Sequence, residues 1–228
     1  MISVILPAYN EAERLENAFY RLRDYMESSF SQYEIIIAED GSDDGTDVVA
    51  SRIAERYDFV THLHSDERLG RGKALNRAIK NARYEFVMYM DVDLSTSLRH
   101  VKDIYNALRD GYDIAIGSRL MKGSRAKRPV FRELPSRVYN TLVRLLLGSS
   151  IRDHQCGFKG FRKSRIVPIL DRIEDNHWFW DTELLVLAQR EGLRIREIPV
   201  EWSHGGESKV SVLSDSLYMF RNILRMMR

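Results

Sequence analysis

Residues 86–95 read FVMYMDVDLS. Phe86–Met90 is almost wholly apolar, the pattern of a strand buried on both faces. It runs straight into Asp91 and Asp93, two carboxylates separated by one residue. A buried strand with such an end delivers negative charge to the carboxyl edge of a sheet, where open α/β sheets bind ligands. Paired carboxylates there suit a hard divalent cation, whose remaining positions substrate phosphates often fill. A lone Asp-x-Asp fits a solvated loop or a helix N-cap better, since 30% of this chain is charged. Repetition changes that reading. IIIAED at 35–40 and ISVILPAYN at 2–10, followed by Glu11, are further apolar runs that end in acid, and YDIAIGSR at 112–119 ends in Arg119. Several charged strand ends on one edge point to an enzyme that handles a nucleotide diphosphate through a metal.

Strand and helix patterns alternate outward from this segment, which predicts a mostly parallel sheet with crossover helices. Strands are expected at 2–6, 34–38, 60–63, 86–90 and 113–117. Between them, helical spacing predicts helices over 11–28, with Leu15, Phe19, Leu22 and Met26 on one face, over 46–56, and after LGRGK. Ser97 is placed to cap a helix over 98–109. Residues 120–134 are basic, carry Pro129 and lead into Pro135, which predicts a mobile loop. Helices over 136–147, 182–191 and 211–227 and strands at 157–161 and 194–202 follow. No repeat and no long linker divides the chain, so one α/β domain is expected over 1–228.

The 228 residues include 44% hydrophobic ones, enough for a sizeable core, and the net charge of +2 hides an uneven distribution. Residues 119–144 hold eight bases and one acid. The single cysteine, Cys156, excludes an internal disulfide and fits a reducing compartment. Met1 leads directly into a core strand, so no signal peptide is expected. No apolar run approaches the roughly 20 residues that span a bilayer.

The shorter motifs each carry two readings. DGSDDGT at 40–46 is either a capped turn or a cradle in which Asp40 meets a base or ribose hydroxyl. Arg71-Gly-Lys73 opens a helix, and a helix N-terminus with a base attracts phosphate; a solvated loop is the plainer reading. One His and one Cys in HQC at 154–156 are too few for zinc, so Cys156 reads as a packed residue. WFWDTE at 178–183 sets aromatics beside acids, as a sugar site or as core followed by a capping box from Asp181. The last helix pattern puts Leu213, Leu217, Phe220, Ile223, Leu224 and Met227 on one side and Arg221, Arg225 and Arg228 elsewhere. Such a helix suits a membrane interface, or packs on the core or on a second subunit.

Taken in order, VILPAYNE, EDGSDDGT, GRGKALNRAI, DVDLS, GSR, DHQCGFKGF, WDTELL and VEWSHGGESKVS resemble family 2 glycosyltransferases of the GT-A fold over essentially the whole chain. Within that family they resemble enzymes that move a sugar from a nucleotide onto dolichyl or polyprenyl phosphate. DHQCGFKGF is closer to the glucosyl branch than to the mannosyl one, which favours UDP-glucose or another UDP-sugar and leaves GDP-mannose open. The resemblance implies Pro7, Tyr9, Glu11 and Asp40 around base and ribose, with Lys73 near the nucleotide. It implies Mg²⁺ or Mn²⁺ on Asp91 and Asp93. Arg119, Arg128 and Arg132 would receive the lipid phosphate, Gln155 and Asp181 would face the sugar, and Lys209 would close over the diphosphate. Two departures stand out: Ser95 replaces a glutamine usual in mannosyl members, and many relatives continue into transmembrane helices where this sequence stops at Arg228.

On this reading 1–119 forms a nucleotide-sugar half, 120–209 an acceptor half and 210–228 an amphipathic helix. The partners are a nucleotide sugar, a polyprenyl phosphate and a membrane surface, met peripherally on its cytoplasmic face. A homo-oligomer is compatible. Transfer to a sugar hydroxyl is the rival, with Asp181 as base. Nucleic-acid binding fits poorly, because the aromatics lie apart from the basic run.

Overall fold

The computed structural model describes residues 1–127, 130–203 and 212–227, with the side chains of all of these except 127, 130–132 and 212–215. Nine strands and eight helices are among them. In chain order they are β1 (Ile2–Ala8), α1 (Ala12–Ser29), β2 (Tyr33–Glu39), α2 (Thr46–Arg56), β3 (Val60–Leu63), α3 (Arg71–Asn81), β4 (Phe86–Met90), α4 (His100–Arg109) and β5 (Ile114–Ser118). Then come β6 (Arg125–Lys127), α5 (Val130–Leu147), β7 (Phe158–Arg162), α6 (Lys163–Leu170), α7 (Trp180–Arg190), β8 (Ile195–Pro199), β9 (Glu201–Ser203) and α8 (Val212–Met226).

Seven strands form one sheet in the order β3-β2-β1-β4-β7-β5-β8. All pairings are parallel except those of β7, which runs antiparallel between β4 and β5. Helices cover both faces, which is why the strands are continuous apolar runs rather than alternating ones. Val4, Leu6, Ile35 and Ile37 join α1, α2 and α4 in one core; Ile5, Ile36 and Ala38 join α3, α6 and α7 in the other. A third cluster, with Val143, Leu147, Phe179, Val186, Met219 and Ile223, packs α5 and α8 on α7. No helix among the described residues is long and apolar enough to cross a membrane.

The expected elements appear with small shifts, and the differences have physical causes. Part of the expected loop at 120–134 is structured: β6 pairs with β9, and α5 begins at Val130 with Pro135 inside it. The helix forms despite the proline because Ser136, Asn140, Val143 and Leu147 are buried along one face. The strand expected at 194–202 is two, since β8 joins the main sheet and β9 leaves it. Ser97 supplies no side-chain cap to α4. The cap of α7 comes from Asp175, whose Oδ1 accepts from the N–H groups of His177, Phe179 and Trp180, rather than from Asp181.

Candidate active site

The strand order reverses beside β1: α1 leads outward to β2, while α3 returns the chain to β4. The crevice at the carboxyl ends of β1 and β4 is therefore the topological switch point of the sheet. Two non-glycine residues among those described have positive φ, Asn10 at 53° and Leu94 at 47°. They follow β1 and β4, so the strained backbone of the described chain is concentrated at this crevice.

Asp91 and Asp93 line a cleft with Ser95, Thr96, Arg119, Gly157 and Trp202. The Asp91 side chain is 47% exposed, and its Oδ1 accepts from Arg71 Nη2 at 2.8 Å. Asp93 Oδ1 accepts the Ser95 N–H at 2.9 Å, and its Oδ2 accepts the Ser95 hydroxyl. Gly157 faces Asp91 so closely that a Cβ on it would lie 1.8 Å from Asp91 Oδ2. Trp202 reaches the cleft because Thr96 pairs with it and Ser203 N–H donates to the Ser95 carbonyl at 2.9 Å.

A buried ionic network lies behind the carboxylates. Asp181 accepts from Arg71 Nη1 at 2.9 Å, from Lys159 Nζ at 2.9 Å and from the Tyr89 hydroxyl. Lys159 also donates to the Cys156 carbonyl at 2.6 Å and is fully buried. Burial alone would raise the Asp181 carboxyl, but Lys159 and Arg71 outweigh it and hold the group below its ordinary value. Burial together with Asp181 pushes the Tyr89 phenol well up. Arg71 thus bridges Asp91 and Asp181. The sequence marks its helix start and the resemblance places Lys73 near the nucleotide, with no role for Arg71 between the two carboxylates. Tyr89 was hidden in the apolar run of β4, and a lysine between two phenylalanines in FKGFR was the one available signal for Lys159.

On the β1–β2 side, the 40–46 loop is tied to the start of α1. Asn10 and Asp43 exchange bonds at 2.7 and 3.1 Å, Ser42 Oγ accepts Asn10 N–H at 3.1 Å, and Asp44 Oδ2 accepts Ala12 N–H at 3.0 Å. Thr46 Oγ1 accepts the Glu11 N–H at 2.8 Å. Pro7 lies in β1, and Arg68 stacks 4.0 Å from the centre of the Tyr9 ring. Asp40 is buried and accepts the Leu69 and Gly70 N–H groups at 2.8 and 3.0 Å, fixing the loop that enters α3. The Asn176 carbonyl accepts the Gly72 and Lys73 N–H groups at 2.8 and 3.4 Å. Protein oxygens therefore meet the helix start that the sequence offered to phosphate. The Lys73 side chain is exposed.

Arg119 is nearly buried and holds Asp153 in a fork, with Nε at 2.7 Å from Oδ2 and Nη2 at 2.7 Å from Oδ1. Burial alone would raise the Asp153 carboxyl, but Arg119 outweighs it and holds the group at about 2. Gln155 is partly buried in the same segment, and Cys156 is buried, its thiol pushed up to about 12 by burial. Trp180 is fully buried, whereas Trp178 is 37% exposed and stands near Arg71. Lys209, Arg128 and the Arg132 side chain lie outside the described residues.

An α/β sheet with a carboxylate pair at its switch point defines a class of nucleotide-using transferases, and similarity narrows it. Residues 3–166 match the family model described as glycosyl transferase family 2. The chain belongs to that family. It is 49% identical over 227 residues to glycosyltransferase AglD of Haloferax volcanii, covering 98% of this chain but 36% of that protein. It is 32% identical over 238 residues to a human dolichyl-phosphate beta-glucosyltransferase, covering 98% of this chain and 74% of that one. The chain thus spans about a third of the first relative and about three quarters of the second. Its structure resembles that of glucosyl-3-phosphoglycerate synthase from Mycobacterium tuberculosis, solved with Mn²⁺, UDP and glucosyl-3-phosphoglycerate. The TM-score is 0.70 at 20% identity, covering all of this chain and 78% of that one, so the two share the GT-A fold.

Proposed function

We propose that this glycosyltransferase moves a hexose from a nucleotide sugar to dolichyl or polyprenyl phosphate. The observation that carries the reading is the Asp91–Asp93 pair, set at the end of a buried strand beside Arg119 and Trp202. Similarity to dolichyl-phosphate beta-glucosyltransferases supplies the acceptor class. UDP-glucose or another UDP-sugar is the favoured donor, on the likeness of DHQCGFKGF to the glucosyl branch; GDP-mannose is its competitor.

A divalent ion fits the carboxylates. Asp91 is half exposed to the cleft, Arg71 engages its Oδ1, and the missing side chain of Gly157 is what lets its Oδ2 take its present place. Asp91 and Asp93 would hold Mg²⁺ or Mn²⁺, which neutralises charge on the leaving diphosphate. The remaining work is placement. Pro7, Tyr9, Glu11, Asp40 and Lys73 border the nucleotide, with Gln155 and Asp181 on the sugar side and Lys209 closing over the diphosphate. Arg119, with Arg128 and Arg132, receives the acceptor phosphate; the Asp153 fork uses two of the five N–H donors a guanidinium carries. An acceptor phosphate is already anionic at neutral pH, so no strong base is required. Asp181, buried and held by three donors, suits an anchor better than a base. Attack in line with the departing diphosphate inverts the anomeric centre. The nucleotide half is 1–119 and the acceptor half 120–209, with 210–228 resting on the cytoplasmic face of a membrane.

The test incubates the protein with polyprenyl phosphate and a panel of radiolabelled nucleotide sugars, then extracts lipid. Lipid-borne label from UDP-glucose, abolished by chelator, is expected. Label from GDP-mannose alone would reverse the donor. Label on soluble glycosides alone would replace the acceptor.

A further inference from the structure

Glu39, His62 and His64 form a second polar cluster. Two or three strand spacings of about 4.8 Å separate the ends of β2 and β3 from β4, so this cluster is distinct from the Asp91–Asp93 cleft. The pairing Ile37↔His62 and Ala38↔Leu63 brings the end of β2 alongside the end of β3. Because side chains alternate, His62 and His64 project to one face together with Glu39. The Glu39 side chain is buried, and its Oε2 lies 2.6 Å from His64 Nδ1. Its Oε1 accepts the Ser42 N–H at 2.5 Å. One ligand atom from each of the three residues lies within 4.8 Å of the other two.

A plain Glu39–His64 ion pair, with Asp66 on the far ring nitrogen at 3.2 Å, accounts for only part of this. It leaves His62. Ser51 Oγ stands 3.1 Å from His62 Nδ1, and His62 Nε2 is buried without any hydrogen-bond partner. A buried polar atom left unmade costs about 1–3 kcal/mol. A cation shared with His64 and Glu39 satisfies it. Arg77 lies nearby and donates to the Leu63 carbonyl at 2.9 Å, so its positive charge opposes a cation; the Glu39 carboxylate and the neighbouring Asp47 offset it.

We infer that Glu39, His62 and His64 hold a divalent transition-metal ion of the zinc class. Two imidazoles and one carboxylate are a common ligand set for such ions, and the His64 side chain, 44% exposed, leaves a side open for water. Bonds of about 2.0–2.2 Å bring tetrahedral ligand atoms to about 3.4 Å apart, so an ion would part the 2.6 Å contact between Glu39 Oε2 and His64 Nδ1 and draw His62 in from within 4.8 Å. The chemistry differs from that of Asp91 and Asp93, whose oxygens suit Mg²⁺ or Mn²⁺; imidazole favours Zn²⁺. The ion clamps the end of β2 to the end of β3. The next residue, Asp40, fixes the Leu69–Gly70 loop that carries Arg71 into the cleft. The clamp is structural, and it does not depend on which sugar or acceptor is used.

The test strips the full chain with chelator and titrates it with Zn²⁺ against a chromophoric competitor, following the melting temperature in parallel. One equivalent of Zn²⁺ is expected to bind wild type and the Asp91→Ala/Asp93→Ala variant alike, raising the melting temperature of both. Binding should weaken more than about tenfold in His62→Gln and in His64→Gln, both of which keep a polar side chain and are checked for folding by circular dichroism. Absence of zinc binding by wild type, or binding by either histidine variant as tight as that of wild type, overturns the site. Zinc binding that disappears in Asp91→Ala/Asp93→Ala overturns it too.

Discussion

Gly157 is the residue on which the geometry of the proposed metal ligand Asp91 turns. Its backbone carbonyl accepts the Asp91 N–H at 3.2 Å, and its missing side chain is the space that Asp91 Oδ2 occupies. Gly157→Ala should push the carboxylate aside without unfolding the chain, because the atom it meets is the tip of a side chain. A displacement of about 1 Å at a reacting centre can cost a hundredfold in rate. Transfer activity should fall about that much, with the melting temperature nearly unchanged; equal activity would show that Asp91 does not need its present position. Asp91 and Asp93 were legible in the sequence because their signal is local, an apolar run that stops at acid. Arg71, Tyr89 and Lys159 were not, because α3, β4 and β7 bring them to Asp181 from distant parts of the chain. Asp40 was legible as a buried strand-end acid, yet its bonds to Leu69 and Gly70 depend on a loop the sequence places thirty residues away.

The connection between α5 and β7 is the element that delivers Gly157 to the cleft. His154 pins it: its N–H and ring Nδ1 meet Asn140 Oδ1 at 2.8 and 2.7 Å, and Nε2 lies 2.8 Å from Ser149 Oγ. Both ring nitrogens are engaged within the protein. The ring is fully buried, and burial holds it neutral with its pKa down at about 3. Between pH 6.5 and 3 the unfolded chain therefore binds a proton that the folded chain does not. Stability must fall as pH falls through that window, by up to about 1.4 kcal/mol per unit from this group. Urea unfolding at pH 6.5, 5.75 and 5.0 should show a steeper loss in wild type than in His154→Gln. Parallel slopes would mean that the buried ring takes up a proton freely. No local pattern marks this pin, since Asn140 and His154 look like ordinary polar residues until α5 is folded. Most of α5 was legible as the helix expected over 136–147; at its start, 130–135, Pro135 and the surrounding bases read as loop, and tertiary packing overrides them.

At the scale of the whole molecule, strand and helix alternation made the layered α/β architecture readable, while strand order was not. The short stretch FKGFR of β7 carries no local mark of direction, so nothing in the sequence identified it as the antiparallel strand. The stripe on α8 was likewise readable as amphipathic, but the fold divides it. Ile223 turns inward with Met219 onto α5 and α7, and Arg225 pairs with Glu174 and Glu183. Leu217, Phe220, Leu224 and Met227 stay outside, at the spacing of a single helical face. Leu134, Val138 and Leu145 of α5 are exposed too, with Arg137, Arg144 and Arg221. The proposed lipid acceptor requires a surface of this kind. Immersing a leucine or phenylalanine is worth about 1.5–3 kcal/mol when burial is complete, and each nearby base adds about 1 kcal/mol on anionic lipid. The protein should therefore sediment with vesicles of mixed neutral and anionic lipid, and rising salt should weaken the association only in part. Replacing Leu217, Phe220 and Leu224 together with serine should reduce binding more than tenfold, since about 1.4 kcal/mol is tenfold in affinity. It should also raise the apparent KM for lipid phosphate and leave nucleotide binding unchanged. A triple variant that sediments like wild type would place the membrane contact elsewhere. One that changes only a monomer–dimer equilibrium would make the face a subunit interface.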